Sequence, residues 1–181
     1  LASASCPKFD VPRIMKLIKT SLLAMVVLFT MASCSKDEAP VTEELNYSID
    51  LNLANETDWV MANEILQLVN DYRISQGLTT IKRDQSYASA YAVDHTQYMI
   101  EKSQISHDNF GVRASALKER GAQIVSENVA YGYDTAEDVV NAWLNSPGHL
   151  KTIEGEYTHS GFGVIQNSEG AYYFTQLFYR K

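Results

Sequence analysis

The side chains in this 181-residue chain best equipped for chemistry are four histidines, at 95, 107, 149 and 159, and the acid Glu127. Two neutral imidazoles together with a carboxylate make a donor set able to hold Zn²⁺ or another divalent cation. One coordination position would stay open for polarising a water or a carbonyl. Glu127 is equally suited to remain off the metal and act as a base toward a bound water. A third use is structural: a glutamate entering a strand and a histidine beside a helix end can be satisfied by backbone groups and by each other. No HExxH helix fixes two ligands one turn apart, so any such set would have to converge from separate segments. Nucleophilic hydrolysis has weaker support. The chain has no GxSxG turn, and Ser126, although adjacent to Glu127, points to the opposite face of a strand. No glycine-rich phosphate loop with its lysine is present.

The remaining histidines read differently. His95 lies between Ala92 and Met99 on the apolar stripe of a helix, which suits a hydrogen-bonded core residue. His159 opens the run "HSGFGV" and shares a face with Gly161 and Gly163, where another backbone or a ligand can approach closely, so it is a candidate neighbour of a cleft. Helix packing explains the same two glycines equally well. Trp143 follows Val139 by four residues and belongs to a core stripe.

These residues need a scaffold, and the chain supplies about one domain's worth from Glu56 to Lys181, with no internal repeat. Met61, Ile65, Val69 and Tyr72 recur at helical spacing up to Gly77. A second helix is expected from about Gln85 to Lys102, and a shorter one from Val112 to Arg120 ending at Gly121. A fourth begins near Asp134 or Thr135, with Glu137 and Asp138 in its first turn, and stops before "SPG". "AQIVSENVAYG" reads as a strand. "HSGFGVIQ" and "AYYFTQLFYR" read as a hairpin joined by "NSEG". In the last strand Tyr172, Phe174 and Phe178 face one way and Tyr173, Leu177 and Tyr179 the other, so it must be covered on both sides. The expected fold is α+β, a three-layer α-β-α sandwich around a central antiparallel sheet. "NYSIDLNL" at 46–53 is either a short edge strand or an ordered piece of tether.

Ahead of the domain, Arg13, Lys16 and Lys19 precede an apolar run from Leu22 to Ala32 and the residues "MASC". That run is too short to span a bilayer and resembles an export signal, with Cys34 placed like the lipidated cysteine of bacterial lipoproteins. Residues 1–14 then precede the true start, 15–33 form the signal, and 34–55 are a lipidated cysteine and an acidic tether before the domain at 56–181. The Lys-Asp-Glu cluster behind Cys34 resembles a surface-export signal. The expected location is the cell envelope, with acyl chains on Cys34 holding the protein to the outer membrane, facing the surface or the periplasm. Cleavage removes Cys6, so the domain holds no disulfide and depends on its core. It also removes four of the 15 basic residues and one of the 22 acidic ones, leaving a net charge of −10. Such a surface repels phosphate backbones, which argues against nucleic acid as a partner.

Four segments in order, "SHDNF" at 106–110, "SENVAYG" at 126–132, "NAWLNSPGHL" at 141–150 and "THSGFGV" at 158–164, resemble the CAP superfamily, also called the SCP domain, in its bacterial cysteine-free branch. "LVNDYRISQGL", "YAVDHTQYM" and "YYFTQLF" extend the likeness over most of 60–181. The resemblance implies a cleft of two histidines and two acids that sometimes binds a divalent cation. It assigns His107, Glu127 and His149 to that cleft, and Ser146 to the position where eukaryotic members carry the second glutamate. Three functions follow as expectations. The leading one is a binding module for a peptide, glycan or lipid. The second is a metal-dependent hydrolase with His107 and His149 as ligands and Glu127 as base. The third is a structural envelope protein whose cleft does no work.

Overall fold

The computed structural model describes residues 48–181. The expected signal, Cys34 and the first part of the tether lie outside the described residues. Residues Leu51–Glu56 form a short 3-10 helix capped by the Asp50 side chain, so the described part of the segment 46–53 runs from irregular chain at 48–50 into this helix and holds no strand. Thr57, which follows, is buried, and its hydroxyl donates to the Phe162 carbonyl at 2.7 Å.

Five α-helices and four strands follow: α1 Trp59–Ser75, β1 Lys82–Arg83, α2 Tyr87–Lys102, α3 Phe110–Glu119, β2 Ile124–Tyr131, α4 Ala136–Leu144, α5 Pro147–Ile153, β3 His159–Gln166 and β4 Tyr172–Arg180. Helix starts obey local hydrogen-bonding chemistry. Asp58 accepts from the amides of Val60 and Met61, Asp84 from those of Tyr87 and Ala88, and Thr135 from Asp138, satisfying N–H groups that have no partner within their helix. "SPG" does stop α4, but Pro147 also opens α5, a short helix the sequence pattern did not announce. Proline suits that first position because it has no N–H to leave unbonded.

The sheet order is β1-β3-β4-β2. Strands β2, β4 and β3 are antiparallel as expected, while the two-residue β1 adds to β3 in parallel. The sheet is therefore mixed at one margin: the chain brushes β3 on its way from α1 to α2, too briefly to form a longer ladder. Strand β4 is covered on both faces. Phe174 and Phe178 pack with Ile65, Val69, Trp143 and Ile153 from α1, α4 and α5. On the other face Leu177 and Tyr179 pack with Tyr91 and Leu117 from α2 and α3, and Tyr173 packs with Met99. This is the α-β-α sandwich.

Gly161 and Gly163 serve this packing. A Cβ on Gly161 would collide with the backbone of Ala88, and one on Gly163 with the carbonyl of Ala92, so both glycines let α2 lie directly on β3. Arg73, fully buried at the end of α1, donates to the carbonyls of Thr79, Ile153 and Gly155 and so ties α1 to the end of α5.

Candidate functional site

Strand β2 is the outer strand, and its backbone parity sets the geometry of the site. The Gly132 amide donates to the Tyr172 carbonyl. Even-numbered residues of β2 therefore bond inward to β4, and the N–H and C=O groups of Val125, Glu127, Val129 and Tyr131 point away from the sheet. The loop carrying His107 comes from the α2–α3 face, and α5, carrying His149, from the other face. They approach each other around this edge.

Glu127 projects to the α2–α3 face, and its side chain is 1% exposed. Arg113 grips it with two prongs, Nε to Oε2 at 2.8 Å and Nη2 to Oε1 at 2.9 Å, while Nη1 donates to the Asp108 carbonyl at 2.7 Å. His107 bonds Oε1 through Nδ1 at 2.8 Å. Burial pushes the Glu127 carboxyl upward, but the hydrogen bonds from His107 and Arg113 and the guanidinium charge outweigh it and hold the group below the usual carboxylate range. An ionised carboxylate only accepts, so Nδ1 of His107 carries the proton. Its Nε2 is bonded to no described residue, on a ring that is 55% exposed. A carboxylate thus fixes the tautomer of an outward-facing imidazole.

Across the edge, His149 and Ser146 line a hollow of about 210 Å³ together with Ile105, Val129, Tyr131, Tyr133, Ala142 and Trp143. His149 is half-buried, and burial first, then the nearby His107, push its pKa below the ordinary value, so His149 favours its neutral form. Helix α5 is held against the edge from two directions. Asn128, buried in β2, donates to the His149 carbonyl at 3.3 Å, and the Trp143 indole donates to the Val129 carbonyl at 3.2 Å. Trp143 is therefore the core residue its spacing suggests, with an additional bond to the sheet edge. Ser146 caps α5 without a side-chain bond, and the residue lines the same hollow.

His107, Glu127, His149 and Ser146 thus come to one edge, and the buried His95 reaches the same carboxylate, its Nε2 3.9 Å from Glu127 Oε1, while His159 does not join them. His95 is buried, donates Nε2–H to the Ser106 carbonyl at 2.8 Å and stacks on Tyr98; it is a core residue, as expected. His159 lies in β3, separated from β2 by β4, where it bonds the Thr158 hydroxyl and stacks on Tyr179. Its glycine neighbours serve helix α2, so of the two residues expected beside the cleft Ser146 lines the hollow and His159 lies away from it. Arg113 is the residue that sequence reasoning missed.

A zinc site with an open position needs three protein ligands. Glu127 has both oxygens committed to Arg113 and His107, and among the described residues no group of three His, Cys, Asp or Glu side chains is placed to hold a metal ion. The donor set His107, His149 and Glu127 does not fit a three-ligand centre in this geometry. Glu127 stands behind His107 as its hydrogen-bond partner.

The sequence profile of the CAP, cysteine-rich secretory protein, family matches residues 66–178. The chain belongs to the CAP family. It is 35% identical over 123 residues to the uncharacterized membrane protein YlbC of Bacillus subtilis (strain 168), covering 65% of this chain and 34% of that protein. It is 32% identical over 109 residues to the uncharacterized protein YkwD of the same organism, covering 58% and 42% respectively. The chain therefore spans well under half the length of these curated relatives. Among solved structures, an outer surface protein from Borrelia burgdorferi shares the fold with a TM-score of 0.61 at 21% identity, covering 67% of this chain and 93% of that one. An extracellular SCP-domain protein from Bacillus anthracis str. Ames gives a TM-score of 0.55 at 30% identity, covering 66% and 40%.

Proposed function

We propose that this CAP domain is an extracytoplasmic binding module, carried on a lipid anchor at Cys34 in the cell envelope, that holds a peptide, glycan or lipid in the hollow beside His149. The observation that carries the reading is the two-pronged Arg113–Glu127 pair. A carboxylate held below its usual pKa by a guanidinium and an imidazole is a weak base, so Glu127 is poorly suited to activate water. What remains at the edge is a hollow of mostly apolar wall with a few polar groups, the composition of a recognition site. The "MASC" motif supports the anchor, and the likeness to the extracellular SCP-domain protein from Bacillus anthracis, at 30% identity, supports the location.

The test is identification, by mass spectrometry, of molecules that co-purify with the protein from its native envelope. They are expected on the wild type and absent from Ser146→Trp, which fills the hollow. Hydrolysis of any of these ligands by wild type, lost in a folded Glu127→Gln variant, would overturn the binding reading in favour of an enzyme.

A further inference from the structure

Between Glu127 and Ala130 strand β2 offers no backbone to a ligand. These residues are buried, the Trp143 indole holds the Val129 carbonyl, and α5 is bonded to the strand through Asn128. A molecule in the hollow beside His149 must therefore be recognised by side chains, and a second hollow supplies more of them. It measures about 400 Å³ and shares Ile105 and Tyr131 with the first. That volume falls within the range of about 300–1,000 Å³ usual for small-molecule sites.

The wall of this second hollow carries more polar groups than the first. Tyr173 belongs to it while only 4% exposed, and its hydroxyl bonds to no described residue. A polar group so enclosed requires a partner. Tyr131 stands opposite Tyr173 in the β2–β4 register, with ring centres 4.4 Å apart, and is 46% exposed, so an aromatic surface lies beside the buried hydroxyl. On the hairpin between β3 and β4, the Asn167 Oδ1 accepts from the amides of Glu169 and Ala171, which leaves the Nδ2–H donors for another partner. Gln104 adds a second amide and Glu169 a carboxylate. No lysine or arginine lines either hollow.

This chemistry selects among ligands. An anion would meet Glu169 and no cation, and a lipid chain would leave the enclosed hydroxyl and the amides without partners. A sugar ring carries C–H groups on its flat faces and, around its rim, hydroxyls that both donate and accept. It can lay one face on an aromatic ring and turn its rim to amides, a carboxylate and a tyrosine hydroxyl. We infer that the hollow at Tyr173 takes an uncharged sugar ring, stacked on Tyr131 and bonded to the Tyr173 hydroxyl, from a glycan that continues past Ile105 into the hollow beside His149. The inference rests on the proposal that the hollow beside His149 binds ligand, and it names the ligand as a neutral glycan.

The experiment titrates the purified domain with a panel of uncharged oligosaccharides, followed by saturation-transfer NMR. The comparison probes are sulfated forms of the same oligosaccharides, capped peptides of about six residues, and phosphatidylcholine vesicles. The uncharged sugars are expected to bind, and the sulfated ones to bind roughly tenfold more weakly or worse, because their charge faces Glu169. Tyr173→Phe removes only the enclosed hydroxyl and should weaken binding about tenfold, the loss expected when a ligand group is left unpaired. Tyr131→Ala should weaken it by a similar factor while Tyr131→Phe binds like wild type, since the ring face carries that contact. Melting temperatures verify that each variant is folded. Sulfated sugars bound as tightly as uncharged ones, or sugar binding indifferent to both Tyr173→Phe and Tyr131→Ala, would overturn the inference. Binding of peptides or vesicles in place of sugars, blocked by Ser146→Trp, would overturn it while leaving the hollow beside His149 a binding site. Binding of none of these probes would remove both readings.

Discussion

Arg113 and Glu127, one in the first half of α3 and the other in β2, meet through two parallel hydrogen bonds of 2.8 and 2.9 Å in a place almost closed to water. The pair fastens α3 to the edge strand and, through Nη1 and the Asp108 carbonyl, fixes the loop that presents His107. Removing one member leaves the other charged and buried. Arg113→Met is therefore expected to destabilise the domain by about 3–5 kcal/mol in urea unfolding, and Arg113→Met combined with Glu127→Leu to recover much of that loss. Additive losses in the double variant would refute the picture of a desolvated, mutually dependent pair.

The tautomer of His107 follows from the same pair. Nitrogen NMR of the imidazoles should show His107 with its proton on Nδ1, and Glu127→Gln should shift the ring toward a mixture of tautomers, since an amide side chain can donate as well as accept. A wild-type ring already protonated on Nε2 would contradict the assignment.

Stability should fall on acidification in two stages. His95 and His149 are both held below the ordinary histidine value, chiefly by burial, so the unfolded chain binds their protons more readily than the folded one. Their contribution is complete above the unfolded histidine value of about 6.5 and declines as pH falls through their folded values. Glu127, also lowered, adds a second decline below about pH 4.3 as the chain approaches its folded value. Melting temperatures measured from pH 8 to pH 3 should show both limbs, and His149→Gln should flatten the upper one. A melting temperature that rises between pH 7 and pH 5 would contradict the assignment of neutral, desolvated imidazoles.

Gly163→Ala is expected to destabilise by about 1–3 kcal/mol or to prevent folding, because the new methyl meets the Ala92 carbonyl and helix backbone cannot retreat without leaving the sheet. A soluble variant with an unchanged urea midpoint would show that α2 has slack against β3.

Cys34→Ala is expected to move the protein from the membrane fraction to the soluble fraction of its cells, detected by immunoblot. Unchanged retention would refute the acyl anchor.

Much of this architecture is legible in the residues. The two-faced apolar pattern of Tyr172 to Tyr179 demands helices on both sides, and Thr135 with Asp138 marks the start of α4. Helix α5 escaped notice because its seven residues are too few for a periodic pattern, and its opening proline reads first as a stop. The parallel β1 is two residues long and leaves no signature at all. Arg113 was overlooked because a charge in a helix usually faces water. A signal existed nonetheless: Arg113 shares the 3/4 spacing of Ala116 and Leu117, both buried, so its own stripe points inward and a buried arginine needs a carboxylate. His107, Glu127 and His149 could be named singly, but nothing in their spacing says that they meet around an edge strand from opposite faces. That depends on the strand order.

The sealed β3 margin limits how this protein can associate with itself. Joining sheets side by side builds filaments only when each unit offers two free borders, and here the outward carbonyls of β3 from Thr158 to Val164 are taken while Glu127 to Ala130 of β2 are buried. Copies brought close together find no long strand edge to extend, and strand-by-strand growth has no place to begin.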